Sequence, residues 1–330
     1  MAKREIPRDS KGNLSPTGRR DMSLMRQRDG VIAILCADIH LSANPPKCRR
    51  KEPDWFDTMY KAITQIKAVA NHYSAPILCA GDVFDHWKAE PQLINFALNH
   101  LPEMYAIPGQ HDLPLHNIEL IQRSAYWTLV LAGKIHNVPY GDSVMIENNI
   151  ILHGFPYGFP IKALEEKTKK YHVAIAHDYF WMDTHCYTGA PKGNNSTAYK
   201  DRVNGYDAVV FGDNHKGFLT DIDDVPIFNC GGLMRRSVDE KEYNPQIGLL
   251  CKSGQIIIQK LNILSDVFEE KEELRGVRGK LGRADLENFL YGLDDLQHKH
   301  FDFIEAIEYA IKSRQVDNKV KKIILEALEQ

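Results

Sequence analysis

VIAILCADIH, residues 31–40, is a continuous apolar run that closes in polar residues. That pattern is a buried strand whose carboxyl end opens into a loop. Working outward, a helix is expected over about 54–72, with Trp55, Met59, Ile63, Ile66 and Val69–Ala70 on one face. APILCAGD (75–82) reads as the next buried strand, and Pro91 fits the first turn of a helix running to about His100. EMYAIPG (103–109) reads as a third strand. Short apolar strands alternating with helices imply a layered α/β fold. Strand candidates then crowd the chain at 143–154, 171–177, 206–212, 218–222, 226–230, 246–251 and 255–261, with a hairpin turn at Ser253-Gly254. Residues 186–204 are polar and rich in Gly and Asn, which suggests a loop over a site.

The flanks differ from this core. Residues 1–30 hold eight Lys/Arg against four Asp/Glu without periodicity, and read as a flexible polar arm. Residues 31–262 form the expected main domain. Over 263–330 the pattern turns helical: Leu286, Phe289, Leu290 and Leu293, then Phe303, Ile304, Ile307 and Ile311, then Val320, Ile324, Ala327 and Leu328. The basic, glycine-rich RGVRGKLGR (275–283) joins this helical C-terminal module to the rest. With 330 residues and a formal net charge of -3, a wholly basic surface is excluded, although a local basic patch is not. No apolar run is long enough to span a bilayer, and no apolar signal core opens the chain. Six cysteines without a CxxC pair read as buried free thiols. A cytoplasmic location is expected.

Chemistry-bearing residues gather at strand ends. Asp38 and His40 are two apart at the end of the first strand, where alternation would send both to one side. Gly81-Asp82-Val83-Phe84-Asp85 ends the second strand. Asp82 could bridge two metals about 3.5–4 Å apart, or could equally be a helix N-cap. Gly109-Gln110-His111-Asp112 ends the third strand, His177 ends HVAIAHD, and Gly212-Asp213-Asn214-His215 ends DAVVFGDNH. Five successive junctions thus deliver Asp, His or an amide, at the carboxyl ends where open α/β sheets bind ligands. An imidazole and carboxylate set suits a divalent ion.

The order D-x-H, G-D-x-x-D, G-Q-H-D, H, G-D-x-H resembles the calcineurin-like metallophosphoesterase superfamily over about residues 31–261. AGDVFDHWK and YAIPGQHDLP are most similar to its SbcD-type DNA-repair exonuclease branch. The resemblance implies a four-layer α/β sandwich of two mixed β-sheets flanked by helices. It implies one metal on Asp38, His40, Asp82 and His215, and a second on Asp82, Gln110, His177 and Asp213. His111 would face the scissile phosphate, with Asp112 orienting it. Gln110 stands where the family has Asn, and Asp213 where it usually has His. The extra carboxylate favours Mn or Mg over Zn; Mn is the expected ion, with Mg, Fe or Zn as alternatives.

Two cations would neutralise phosphate oxygens and lower the pKa of an attacking water. His111 would protonate the leaving oxygen. Arg235 and Arg236 are candidates to clamp a phosphate or simply to cap a strand, and His86 to touch substrate or to pack. His153 reads as structural. The expected activity is a DNA phosphodiesterase, exonuclease or endonuclease, with DNA as partner. An SMC-like ATPase is the expected docking partner for the C-terminal helices, and a homodimer is a further expectation. Arg275, Arg278, Lys280 and Arg283 could line a DNA groove. The alternatives are a nucleotide or small-molecule phosphoesterase, served by the same centre, and a binding protein with a vestigial one.

Overall fold

The computed structural model describes residues 30–182 and 194–268. Residues 1–29 of the expected 1–30 arm, the 269–330 part of the helical module with its basic linker, and residues 186–193 of the expected loop lie outside them. In chain order the elements are β1 (Val31–Cys36), α1 (Trp55–Tyr73), β2 (Ile77–Cys79), α2 (Pro91–His100), β3 (Met104–Ala106), α3 (Ala125–Leu131) and β4 (Ile135–Asn137). Then come β5 (Ser143–Met145), β6 (Ile150–Phe155), β7 (Tyr171–His177), a single helical turn α4 (Ser196–Tyr199) inside the expected 186–204 loop, β8 (Ala208–Gly212), β9 (Phe218–Ile222), β10 (Val225–Asn229), β11 (Gln246–Cys251) and β12 (Ile256–Lys260).

The strands make two six-stranded mixed sheets, ordered β12-β11-β1-β2-β3-β4 and β5-β6-β7-β8-β10-β9. β1 to β4 run parallel, as do β6, β7, β8 and β10. β11, β12, β5 and β9 add the antiparallel pairs. The run 31–37 is buried because it serves two cores. Ile34 and Cys36 face the helices with Met59, Ile63 and Phe96, whereas Leu35 and Ala37 face Val173, Ile175, Val210 and Phe228 of the other sheet. Strand alternation supplies both faces. Ile32 and Ala33 share the inter-sheet side, where the β1–β11 register shifts. The expected α/β sandwich is therefore present.

α1 begins at N-cap Asp54, whose side chain accepts from Asp57 N, and ends at Ser74 in the left-handed region. Pro91 opens α2. The β11–β12 hairpin turns at Ser253-Gly254, with Gly254 at φ +84. The single strand expected over 143–154 is instead two, broken by a turn in which Asn148 and Asn149 take positive φ. Five cysteines, 36, 48, 79, 230 and 251, are buried and free. Among the described residues no helix is long and apolar enough to cross a membrane.

Candidate metal centre

The loops that follow β1, β2, β3 and β8, with the last residue of β7, converge between the carboxyl ends of the two sheets' parallel strands. Asp38 and His40 lie beyond β1, not on it, so strand alternation does not aim them. Both sit in the left-handed region, at φ 50 and φ 48, as do Asp82 at φ 53 and Asp213 at φ 76. Such conformations cost non-glycine residues energy and persist where surrounding contacts dictate them. Here the β1 and β2 loops run side by side: Asp38 N donates to Gly81 O, His40 N to Asp82 O and Leu41 N to Val83 O. Glycine is required by close approach at two points. A Cβ on Gly81 would lie 2.3 Å from His177 Nδ1, and one on Gly109 2.0 Å from Asp82 Oδ1.

Asp82 is the hub. It caps no helix; its Oδ1 accepts from His111 N at 3.0 Å. Its Oδ2 lies 3.3 Å from Nε2 of His177, 3.7 Å from that of His40 and 3.9 Å from that of His111. Nε2 of His40 and Nε2 of His215 are 3.0 Å apart. Three of the four imidazoles, those of His177, His111 and His215, are held through their other nitrogen, while His40 Nδ1 makes no hydrogen bond and only faces Asp85. His177 Nδ1 donates to Ala80 O at 2.6 Å and His111 Nδ1 to Asp85 O at 2.8 Å. His215 Nδ1 meets Glu240 Oε1 at 3.1 Å, and His40 Nδ1 lies 3.5 Å from Asp85 Oδ1. An acceptor at Nδ1 fixes the tautomer and leaves Nε2 facing inward, the usual arrangement behind a metal-binding imidazole.

Gln110 and Asp213, the two departures from the family pattern, are bonded to each other. Gln110 Nε2 donates to Asp213 Oδ1 at 2.7 Å. Asp213 N donates to both oxygens of Asp38 at 3.1 Å. The Asp112 carboxylate is engaged by backbone N–H groups, those of Val83, Phe84 and Gly109 at 2.9–3.1 Å, and so ties the β2 loop to the β3 loop. The ring of His111 is held at Nδ1 by the Asp85 carbonyl.

Electrostatics follow from burial. It pushes the Asp38 carboxyl up to about 7, against the pull of His215 and His177. It drives His40 down to about 3, a neutral ring with a lone pair to offer. Burial also opposes a charged Asp82, yet His177, His111 and His40 outweigh it and hold the carboxyl well below its usual range. His215 feels the same opposition, and Glu240 overcomes it to raise the imidazole to about 9.

A divalent cation fits this donor set. Asp82 Oδ2, Gln110 Oε1 and His177 Nε2 are buried with no hydrogen-bond partner, and such orphans demand an explanation. Three groups, Asp38–His40–His215, Asp38–Asp82–His177 and His40–Asp85–His111, bring ligand atoms within 4.8 Å of one another.

Two candidates from the sequence do not join the cluster. Arg235 spends its guanidinium on Asp266 Oδ2 at 2.9–3.0 Å, Lys241 O and Ile263 O, so it is a structural anchor and not a phosphate clamp. His86 is exposed and bonds within its own loop, accepting from Lys88 N. Arg236 does reach the cluster, through Asp85 Oδ1 at 2.7 Å and His40 O at 2.6 Å. His153 stacks on His172, with Nε2 of the one 3.1 Å from Nδ1 of the other. Asp85 and Glu240 are the residues that sequence reasoning passed over. Asp85 stood inside the quoted G-D-x-x-D, and Glu240 had only the capping pattern Ser237-x-x-Glu240 to mark it.

Comparison with known proteins agrees with this geometry. No curated protein matches the chain. Among solved structures it is similar to TT1561 of Thermus thermophilus, at 12% identity over 71% of this chain and 100% of that one, with a TM-score of 0.42. It is similar to a novel archaeal phosphodiesterase at 13% identity over 69% and 99%, with a TM-score of 0.37. The calcineurin-like phosphoesterase YfkN from Bacillus subtilis matches at 11% over 75% and 95%, with a TM-score of 0.39. Resemblances this remote carry no argument by themselves. The family model for calcineurin-like phosphoesterases matches residues 33–217, more than half of the 330 residues and the span that supplies Asp38, His40, Asp82, His177 and His215. On that match, this chain belongs to the calcineurin-like phosphoesterase family and is a metal-dependent phosphoesterase.

Proposed function

We propose that the centre takes two divalent cations, Mn foremost, and that the protein hydrolyses phosphodiester bonds of DNA in the cytoplasm. Asp38, His40, Asp82 and His215 would hold one ion, and Asp82, Gln110, His177 and Asp213 the other. The observation that carries the reading is the set of four imidazoles, each with an acceptor at or near Nδ1 and three of them turning Nε2 toward Asp82 Oδ2. Bound there, the ions would supply Lewis acidity toward a phosphoryl ester and its attacking water.

The chain's own residues do the rest. His111 keeps its Nδ1 proton on Asp85 O, so Nε2 is the atom that can hold a second proton and release it to a leaving oxygen. Asp112 keeps the two loops in register by their backbone N–H groups. Arg236 neutralises Asp85 behind His40. The choice of DNA rests on the similarity of AGDVFDHWK and YAIPGQHDLP to the SbcD-type branch. An SMC-like ATPase is the proposed partner of the C-terminal segment.

A Mn-dependent assay tests the substrate, with linear DNA run beside a chromogenic diester and a monoester. Degradation of DNA and of the diester is expected. Rapid turnover of the monoester with untouched DNA would replace this reading by a nucleotide or small-molecule phosphoesterase.

A further inference from the structure

The chain leaves β12 and crosses back over the N-terminal side of α1. Gln65 Oε1 accepts from Asn262 N at 2.7 Å, and Glu52 Oε1 accepts from Val267 N at 2.8 Å. Residues 263–268 then meet two arginines that are themselves buried, Arg49 at 0% exposure and Arg235 at 9%. Asp266 answers both: Oδ1 lies 3.0 Å from Arg49 Nη2, and Oδ2 accepts from Arg235 Nε at 3.0 Å. The Phe268 ring meets both guanidinium groups, 5.0 Å from Arg49 Cζ and 4.9 Å from Arg235 Cζ. Arg49 also donates through Nη1 to Arg235 O at 2.7 Å. Glu52 and Asp266 balance the two positive charges, so the network is neutral and closed.

What this network holds is the wall of the metal centre. Arg236, the next residue, donates to His40 O and pairs with Asp85. Its N–H and that of Ser237 donate to Glu240 Oε2, while Oε1 of the same carboxylate meets His215 Nδ1. Just upstream, Leu233 N donates to Asp38 O and Gly232 N to His215 O. A single turn, 232–240, thus contacts Asp38, His40, Asp85 and His215, and its outer side is fastened by 263–268.

We propose that residues 263–268 are a strap on this turn, with Asp266 and Phe268 as positioning residues for the metal centre. Neither touches a metal ligand. They fix Arg235, which sets where Arg236 and Glu240 stand, and these in turn aim His40 and His215. The strap lies where the chain runs on into its last 62 residues, 269–330. The inference rests on the metal-centre reading above.

The test uses the full chain and Mn(II) alone, titrated and followed by the paramagnetic resonance of the free ion, so that it is independent of turnover. Asp266→Asn should lower Mn affinity by up to roughly 10-fold, the low end of what removing a direct support behind a metal ligand costs, since Asp266 acts through Arg235. Asp266→Glu should recover it. With bis(p-nitrophenyl) phosphate at saturating Mn, kcat should fall in Asp266→Asn while KM holds. Phe268→Leu removes the ring and keeps apolar bulk, and should give a smaller loss of the same kind; it carries the test if Asp266→Asn does not fold. Folded variants that bind Mn as the wild type does, whatever their melting temperature, overturn the strap alone. A wild-type chain that binds no Mn overturns the metal-centre reading and the strap with it.

Discussion

Gly109→Ala puts the architecture of the centre under direct strain without replacing a ligand. Gly109 has φ -90, which alanine adopts freely, so backbone conformation plays no part. The added methyl would lie 2.0 Å from Asp82 Oδ1, 2.6 Å from Asp82 Cγ and 2.6 Å from Asp82 N. Ordinary contact begins near 3.4 Å, so either the β3 loop or the Asp82 carboxylate must retreat by more than 1 Å. Neither is loose. Gly109 N donates to Asp112 Oδ2 at 3.1 Å and His111 N to Asp82 Oδ1 at 3.0 Å, and Asp82 is fully buried. Overpacking of this kind costs about 1–3 kcal/mol. A displacement of about 1 Å in a positioning group costs roughly 10²-fold in rate. We expect a destabilisation in that range by chemical denaturation, reduced Mn stoichiometry, and a fall in diester turnover of roughly 10²-fold. Gly30→Ala is the control: its nearest neighbour would be Lys252 Cβ at 3.5 Å, ordinary contact, so it should leave metal content and rate unchanged. A Gly109→Ala protein with full metal content and wild-type rate would refute the tight apposition of the β2 and β3 loops.

Asp82→Asn should cost both ions, because one carboxylate serves both; metal analysis of the purified variant checks this, and retention of two ions would show that it is no bridge. His111→Ala should keep metal content while turnover falls roughly 10²–10⁴-fold, with a smaller loss on substrates whose leaving groups need no proton. Asp213→His should shift the second ion toward Zn and, made together with Gln110→Asn, should be non-additive, since the two side chains are bonded; additive losses in a double-mutant cycle of Mn affinity would contradict the pairing. Burial, helped by His172, holds His153 down at about 4 from 6.5, so the unfolded chain binds its proton first, and stability present above pH 6.5 is lost as pH falls toward 4. Half-burial discounts the effect to about 1–2 kcal/mol, and His153→Asn should remove that share of the acid loss in denaturation curves at pH 7 and pH 4.5.

The parts legible in the sequence are those that repeat or that alternate. α1 announced itself by Trp55, Met59, Ile63, Ile66 and Val69–Ala70, and it buries all of these but Val69, which is only partly covered. The buried strands were marked by unbroken apolar runs, and the junction residues by their recurrence. β4 escaped because it is three residues at a sheet edge, with His136 exposed, and carries no pattern. α3 escaped because its seven residues are too few for periodicity, and its start depends on Ser124 accepting from Trp127 N. The left-handed backbone at Asp38, His40, Asp82 and Asp213 was invisible for another reason. Asp and His enter that region more readily than most residues, but the hydrogen bonds that impose it here run between loops remote in sequence and leave no local pattern. The same holds for the fates of Arg235 and Arg236. Adjacent and identical, they are separated only by what tertiary structure sets before each, Asp266 for one and Asp85 for the other.

The two departures from the family pattern bear on whether the centre works. A centre losing its function is free to lose its charges, because a buried carboxylate without a partner is costly. Here the departure runs the other way. Asp213 brings a carboxylate where the family usually has an imidazole, and it lies at 5% exposure beside Asp38 and Asp82, both at 0%. Gln110 is longer than asparagine by one methylene, and its amide donates to Asp213 Oδ1 while its own carbonyl oxygen has no hydrogen-bond partner. One substitution thus adds negative charge, and the other both supports it and offers a further oxygen. Three buried carboxylates and an unbonded carbonyl are stable together only against concentrated positive charge. The neutral His40 and a pair of imidazoles shared among three acids supply too little of it, whereas a divalent ion supplies enough. The substitutions that look like decay when taken singly therefore make a harder, more oxygen-rich site when taken together, which is the chemistry that Mn or Mg prefers.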